Sequence, residues 1–126
     1  MGKDLKTVLL VDDEPNILVP LEFLVRNKGY RTLTASNGRQ ALKVMEKVQP
    51  DLILLDVMMP EMNGFETARQ IRQNPDWANI HIIFLTAKGT SEDKIQGYTS
   101  GGEVYLTKPF DNEELLNTID ETLEFG

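Results

Sequence analysis

The stretch Val8-Leu9-Leu10-Val11-Asp12-Asp13-Glu14-Pro15 decides the fold. Its four apolar residues are too few for a helix and too continuous for a half-exposed strand, so they read as a strand buried on both faces. Asp12 and Asp13 end the run, and Glu14-Pro15 marks a turn into a helix. Two similar runs follow, Leu52-Ile53-Leu54-Leu55 and Ile82-Ile83-Phe84-Leu85. Between the runs, apolar residues recur every three or four positions: Ile17, Leu21 and Leu24, then Ala41, Met45 and Val48, then Phe65, Ala68 and Ile71. Such spacing predicts helices packing one face on a sheet. Tyr30 to Ala35 alternates polar with apolar, and Val104 to Thr107 is short and half polar, so both suit sheet edges. The last segment opens with Asp111, has Glu114 three residues on in a near capping box, and carries Leu115, Ile119 and Leu123 on one face of a C-terminal helix. Pro20 falls inside the first helix, where a missing backbone donor predicts a kink.

A fivefold alternation of strand and helix implies parallel strands, right-handed crossovers and a helix layer on each face. The expected class is α/β, a three-layer sandwich of five parallel strands and five helices in one domain over residues 1–126, with its core at about 6–124. With 126 residues, 20 acidic against 13 basic side chains, one His and no Cys, the composition excludes disulfide scaffolds, thiolate metal sites and cysteine nucleophiles. A net charge of -7 with no Lys/Arg cluster argues against direct nucleic-acid binding. The apolar runs of four residues fall far short of the roughly 20 a membrane-spanning helix needs. No signal peptide or lipidation motif opens the chain, so a cytoplasmic location is expected.

In an open parallel sheet, ligands bind beyond the carboxyl ends of the strands. There the sequence places Asp12, Asp13 and Glu14 after the first strand, Asp56 after the third, Thr86 after the fourth, and Thr107, Lys108 and Pro109 after the fifth. Singly, each is an ordinary cap, strand end or solvated charge. Together, three carboxylates converging on one edge repel one another unless a cation sits among them. All-oxygen ligands favour Mg²⁺ or Mn²⁺, and few protein ligands with several waters suit Mg²⁺. A metal, an ammonium and a hydroxyl around a carboxylate are what an incoming phosphoryl group requires. Asp56, alone at the end of a central strand, is the natural nucleophile, and an aspartyl phosphate the expected product.

The stretches VLLVDDEP, DLILLDVMMPEMNGFE, IIFLTAK and YLTKPF, in this order and spacing, resemble the receiver domains of two-component response regulators over nearly the whole chain, in particular the single-domain, chemotaxis-regulator type. The resemblance implies a flavodoxin-like sandwich with strand order 2-1-3-4-5. It also implies Asp56 as phosphoacceptor, Asp13 as a direct Mg²⁺ ligand, Asp12 as a ligand through water, and the backbone carbonyl of Met58 as the last protein ligand. Thr86 and Ala87 would meet the phosphoryl group, Lys108 would pair with it, and Tyr105 would turn inward when Thr86 moves. Lys108-Pro109 would be a cis peptide. The phosphoryl donor would be a phosphohistidine on a histidine kinase or phosphotransfer protein. The output would be altered binding of a downstream protein at the face formed by the fourth helix, fifth strand and fifth helix. The chain would catalyse only its own phosphorylation and dephosphorylation, as a monomer or weak dimer.

Some positions depart from the pattern. Asn63 stands where Asp is common before Gly64, a substitution that loop geometry tolerates. Gly101-Gly102-Glu103-Val104 lacks an acid that winged-helix regulators use in a salt-bridged dimer, and the last 16 residues carry six acids and no Lys or Arg. That helix cannot supply the basic half of such a dimer, so a basic or apolar partner is expected there. His81 lies at the start of a strand and reads as structural, and Trp77 as a surface-packing residue away from the site. Met58 and Lys88, each two residues past a site residue, would tune the phosphoryl lifetime. Other functions fit less well. A flavodoxin-type module needs a phosphate-cradling loop where Asp12-Asp13-Glu14-Pro15 stands, and a phosphatase needs a second acid where Met58 stands. A phosphorylation-independent scaffold is the remaining alternative, opposed by an intact set of Asp56, Thr86 and Lys108. Ending at Gly126, the chain is either a single-domain regulator or a receiver cut from a longer protein.

Overall fold

The computed structural model describes residues 5–86, 104–108 and 110–125. The expected runs form β1 (Thr7–Val11), β3 (Leu52–Asp56) and β4 (His81–Thr86), flanked by β2 (Arg31–Ala35) and β5 (Val104–Thr107). The five strands form one parallel sheet in the order β2-β1-β3-β4-β5, with the two half-polar strands at its edges. The helices are α1 (Pro15–Asn27), α2 (Gly38–Lys47), α3 (Gly64–Gln73) and α4 (Asn112–Phe125), with a 3-10 turn at Pro75–Trp77. Among the described residues there are thus four α-helices, and α4 is the fifth helix of the expected alternation. The expected fourth, with Ala87, Lys88 and Pro109, lies outside the described residues.

The continuous apolar runs have a direct cause, because successive side chains of a strand point to opposite faces. Leu9, Val11, Ile53, Leu55, Ile82 and Phe84 join one core layer with Ala41 and Met45 of α2 and Phe65, Ala68 and Ile71 of α3. Val8, Leu10, Leu52, Leu54, Ile83 and Leu85 join the other with Leu21 and Val25 of α1 and Leu115 and Ile119 of α4. Both faces of the central strands are dry, so polar residues are confined to their ends. There the ladder runs on a little: Val57 N–H donates to Leu85 O at 2.9 Å, and Lys108 N–H to Thr86 O at 2.6 Å.

The helices differ from expectation in two details. Val48 caps the end of α2 and is exposed instead of extending its buried face, because the helix stops at Lys47. Val25, not Leu24, completes the buried stripe of α1 with Leu21. Helix α1 continues through Pro20 to Asn27, and the donor that Pro20 lacks would have met the carbonyl of the exposed Asn16 one turn back, where water can serve it. The C-terminal helix is tied to the turn between α1 and β2: the Tyr30 hydroxyl donates to Asp120, and Lys28 Nζ lies 3.4 Å from the same carboxylate. One of the six acids near the C-terminus is therefore engaged internally, while Glu113, Glu114, Glu121 and Glu124 face solvent.

Pro20→Ala restores the α1 donor at a solvent-facing position, and equilibrium urea unfolding should show a gain of about 1 kcal/mol, the helix penalty of proline less its restraint on the unfolded chain. An unchanged or lower midpoint would mean that α1 is built around the proline.

Candidate functional site

The parallel sheet brings four strand ends to one edge. Asp12 follows β1, Asp56 ends β3, Thr86 ends β4 and Lys108 follows β5. Asp12, Asp56 and Thr86 are buried, at 0%, 3% and 1% exposure, although each bears a polar group. Buried charge persists only where it is paired. The pairing comes from Lys108, whose Nζ lies 3.1 Å from Asp12 Oδ2 and 3.3 Å from Asp56 Oδ1. Asp12 also turns the chain, since its Oδ1 accepts from Glu14 N–H at 2.9 Å. Asp13 adds a third carboxylate, and the oxygens of Asp12, Asp13 and Asp56 lie within 4.8 Å of one another.

Among the described residues, one ammonium stands against three carboxylates, which leaves the cluster short of positive charge. Burial, and after it the charge of Asp12, push the Asp56 carboxyl up to about 6 against the pull of Lys108. Burial also works against the Lys108 ammonium, yet Asp56 and Asp12 together outweigh it and its pKa is raised. A divalent cation fits this donor set: three oxygen-only ligands, anionic, converging and under-neutralised. Met58 follows in the loop and is exposed.

That loop is held tightly. Gly64 opens α3 so close to β3 that a Cβ would overlap the Asp56 carbonyl oxygen and come within 2.9 Å of Val57 Cα. Gly64 N–H donates to Val57 O at 3.0 Å. Asn63 caps α3 by accepting from Glu66 N–H at 2.9 Å, while the Glu66 carboxylate accepts from Asn63 N–H at 3.2 Å. The expected tolerance of Asn63 thus has a different cause: its φ is -74°, and it serves as an N-cap. The left-handed residue of the loop is Glu61, at φ 68°, where Met62 N–H donates to Pro60 O at 2.8 Å across a tight γ-turn. The Asn63…Glu66 spacing was a readable capping signal; the turn at Glu61 had none, as glutamate is not a left-handed residue by preference.

Tyr105 is half-buried on β5, packed between Phe84 and Phe65 with centroids 6.0 and 6.5 Å away. His81 begins β4 as expected, and Trp77 packs half-buried against the α2/α3 side of the core.

The sequence matches the response regulator receiver domain family over residues 8–120. The chain belongs to that family, and it is a phosphorylation-activated signalling switch of two-component systems. It is 36% identical over 116 residues to protein PilH of Pseudomonas aeruginosa, covering 92% of this chain and 96% of that one. It is 42% identical over 118 residues to the phosphate regulon transcriptional regulatory protein PhoB of the same species, covering 94% of this chain but 52% of PhoB. The chain thus spans nearly all of PilH and about half of the transcriptional regulators it matches. Its fold superposes on Vibrio cholerae chemotaxis protein CheY4 with a TM-score of 0.90 at 35% identity, covering 94% and 98% of the two chains. A receiver domain of a Pseudomonas aeruginosa sensor histidine kinase with a magnesium ion in its active-site cleft gives 0.87 at 30% identity, covering 96% and 99%. Receiver domains hold Mg²⁺ in such an acidic pocket, and they interact with histidine kinases or phosphotransfer proteins and with downstream targets.

Two predictions follow from the geometry. Asp56 titrates near 6 in the metal-free fold and near 4 when unfolded, so its favourable contribution is present at pH 4 and lost as pH rises through 6. In chelator at pH 7.5, Asp56→Asn should therefore stabilise the protein by about 1–3 kcal/mol in urea, a gain that shrinks below about pH 5. Equal stabilities at both pH values would refute the crowding. Gly64→Ala should cost about 1–3 kcal/mol in the same assay, because the added methyl must displace backbone.

Proposed function

We propose that Asp56 is the phosphoacceptor and that the chain, as one receiver domain over residues 1–126, switches the binding of a protein target in the cytoplasm. The observation that supports this best is the Lys108 ammonium bridging the buried carboxylates of Asp12 and Asp56. An Asp56 oxygen attacks the phosphorus of a phosphohistidine in line, the P–N bond breaks, and its electron pair leaves on the imidazole nitrogen. Asp12, Asp13, Asp56 and the Met58 carbonyl would hold Mg²⁺, with Mn²⁺ a substitute, which when bound offsets the charge of the phosphoryl oxygens. Lys108 supplies the matching charge from the protein and is freed to turn from carboxylate to phosphoryl oxygen as Asp56 loses its negative charge. Thr86 stands at the adjoining strand end and, with Ala87, serves the phosphoryl oxygens. Tyr105 then answers the movement of Thr86, and the β5 and α4 face changes partners. Hydrolysis of the acyl phosphate by water resets the switch, so the only chemistry the chain performs is on itself.

The donor's docking surface is also proposed. Helix α1, which follows Asp12 and Asp13 in the chain, leaves Val19 and Phe23 about two-thirds exposed. With Pro20, Leu24 and Phe110, the last of these two residues beyond Lys108 in the chain, they line an apolar hollow of about 700 Å³. A helical phosphodonor seated there would bring its histidine to Asp56.

Intact mass after incubation with Mg²⁺ and a small acyl phosphate should rise by one phosphoryl group. The gain should vanish in Asp56→Asn and in chelator, and no gain from either a small donor or a histidine kinase would leave the phosphorylation-independent scaffold. A Val19→Ser/Phe23→Ala double variant should slow transfer from a kinase that serves the wild type by roughly tenfold while leaving the small donor unaffected. Equal slowing with both donors would move the docking surface elsewhere.

A further inference from the structure

Three aromatic rings form a closed triangle behind the site. Phe65, the second residue of α3, meets Phe84 of β4 edge-on at 5.0 Å and 68°, and stacks on Tyr105 of β5 at 6.5 Å and 26°. Phe84 and Tyr105, partners in the strand register, close the triangle at 6.0 Å. All three separations lie in the range where ring pairs attract beyond simple burial. Phe65 and Phe84 are buried, at 3% and 1% exposure, whereas Tyr105 is partly buried on the edge strand, its hydroxyl out of reach of solvent. Tyr105 stands on the strand with a single neighbour among the described strands, and any change in its ring position must be met by the two buried rings it touches.

The position of Phe65 gives that contact reach. Its neighbour Gly64 abuts the Asp56 carbonyl with no room for a methyl group and is hydrogen-bonded to Val57 O. The reciprocal Asn63–Glu66 cap locks the first turn of α3 to the end of the loop. The γ-turn at Glu61 stiffens the same loop two residues earlier. The segment from Asp56 to Glu66 thus has few ways to absorb a displacement of the Phe65 ring internally, and close-packed interiors pass such shifts on.

We infer that Phe65 is a positioning residue that couples the Tyr105 ring on the edge strand to the Met58–Asn63 loop beside Asp56, through α3 instead of through Thr86 alone. The inference deepens the reading of the Asp56 site and takes its functional meaning from it. By reciprocity, whatever the Tyr105 position does to the loop, occupancy of the loop does to Tyr105. Aromatic contact alone marks a route; a demonstrated coupling makes it one.

The test needs neither metal nor phosphoryl group, so its failure is separate from failure of the Asp56 reading, which the mass measurement decides. Amide hydrogen exchange and amide NMR shifts of Met58 to Gly64 are compared in wild type, Tyr105→Leu, Phe65→Leu and the double variant, all in chelator. Tyr105→Leu should speed exchange in the loop by roughly fivefold and move its resonances, an effect that local opening reports directly. In the Phe65→Leu background the same Tyr105→Leu change should move them little. A merely structural Phe65 would lower stability yet leave the response to Tyr105→Leu intact, and that result overturns the inference. So does a loop indifferent to Tyr105→Leu in the first place. Phe65→Met, which keeps the volume without the ring, replaces Phe65→Leu should the latter not fold, and carries the same two expectations.

Discussion

Among the described residues, three carboxylates converge at the carboxyl edge of the sheet with one ammonium, which reaches two of them, and much of the molecule serves to hold them there. Asp12 and Asp56 are almost wholly buried, a placement that costs several kcal/mol per charge unless it is compensated. Lys108 supplies part of the compensation by reaching both. The raised pKa of Asp56 shows that the compensation is incomplete. An incomplete pairing is what a switch requires, because a fully satisfied cluster would have no use for a metal and no affinity for a phosphoryl group. The parallel sheet makes the arrangement possible, since only parallel strands bring three carboxyl ends and a following lysine to the same edge.

Rigidity around Asp56 is the second requirement. The two dry core layers leave β3 no freedom to shift, with all five of its residues buried. Gly64, pressed against the Asp56 carbonyl, fixes where α3 begins, and the Asn63–Glu66 cap fixes how the loop enters it. The sheet's edge is less enclosed, since Tyr105 is only partly buried there and β5 has a single neighbour among the described strands. On the proposed reading, the chemistry sits on the stiff centre and the readout on the edge strand.

The central strands were legible because burial on both faces writes itself as uninterrupted apolar residues, as in Leu52 to Leu55. The site was legible because polar residues in such a sheet have nowhere to go but the strand ends, so Asp12, Asp56, Thr86 and Lys108 announced themselves. The order of the strands was not written locally. It came from resemblance to a family, since neighbouring sequence does not say which buried strand pairs with which. Val48 was misplaced because a helix end cannot be read to a single turn, and Val25 was passed over because two adjacent apolar residues, Leu24 and Val25, compete for one face. The left-handed turn at Glu61 and the ring triangle of Phe65, Phe84 and Tyr105 were invisible, one because tertiary context overrode a residue preference and the other because it joins positions up to 40 residues apart.

The most direct test of the central claim is a Mg²⁺ titration followed by thermal unfolding at pH 7.5, on wild type and on Asp13→Asn. Under-neutralised carboxylates require a saturable rise in Tm with the dependence of a single site, equivalent to about 2.7 kcal/mol at a hundredfold excess over Kd, and a much weaker rise in Asp13→Asn. A wild type whose Tm ignores Mg²⁺, or an Asp13→Asn variant that responds as strongly, would contradict it.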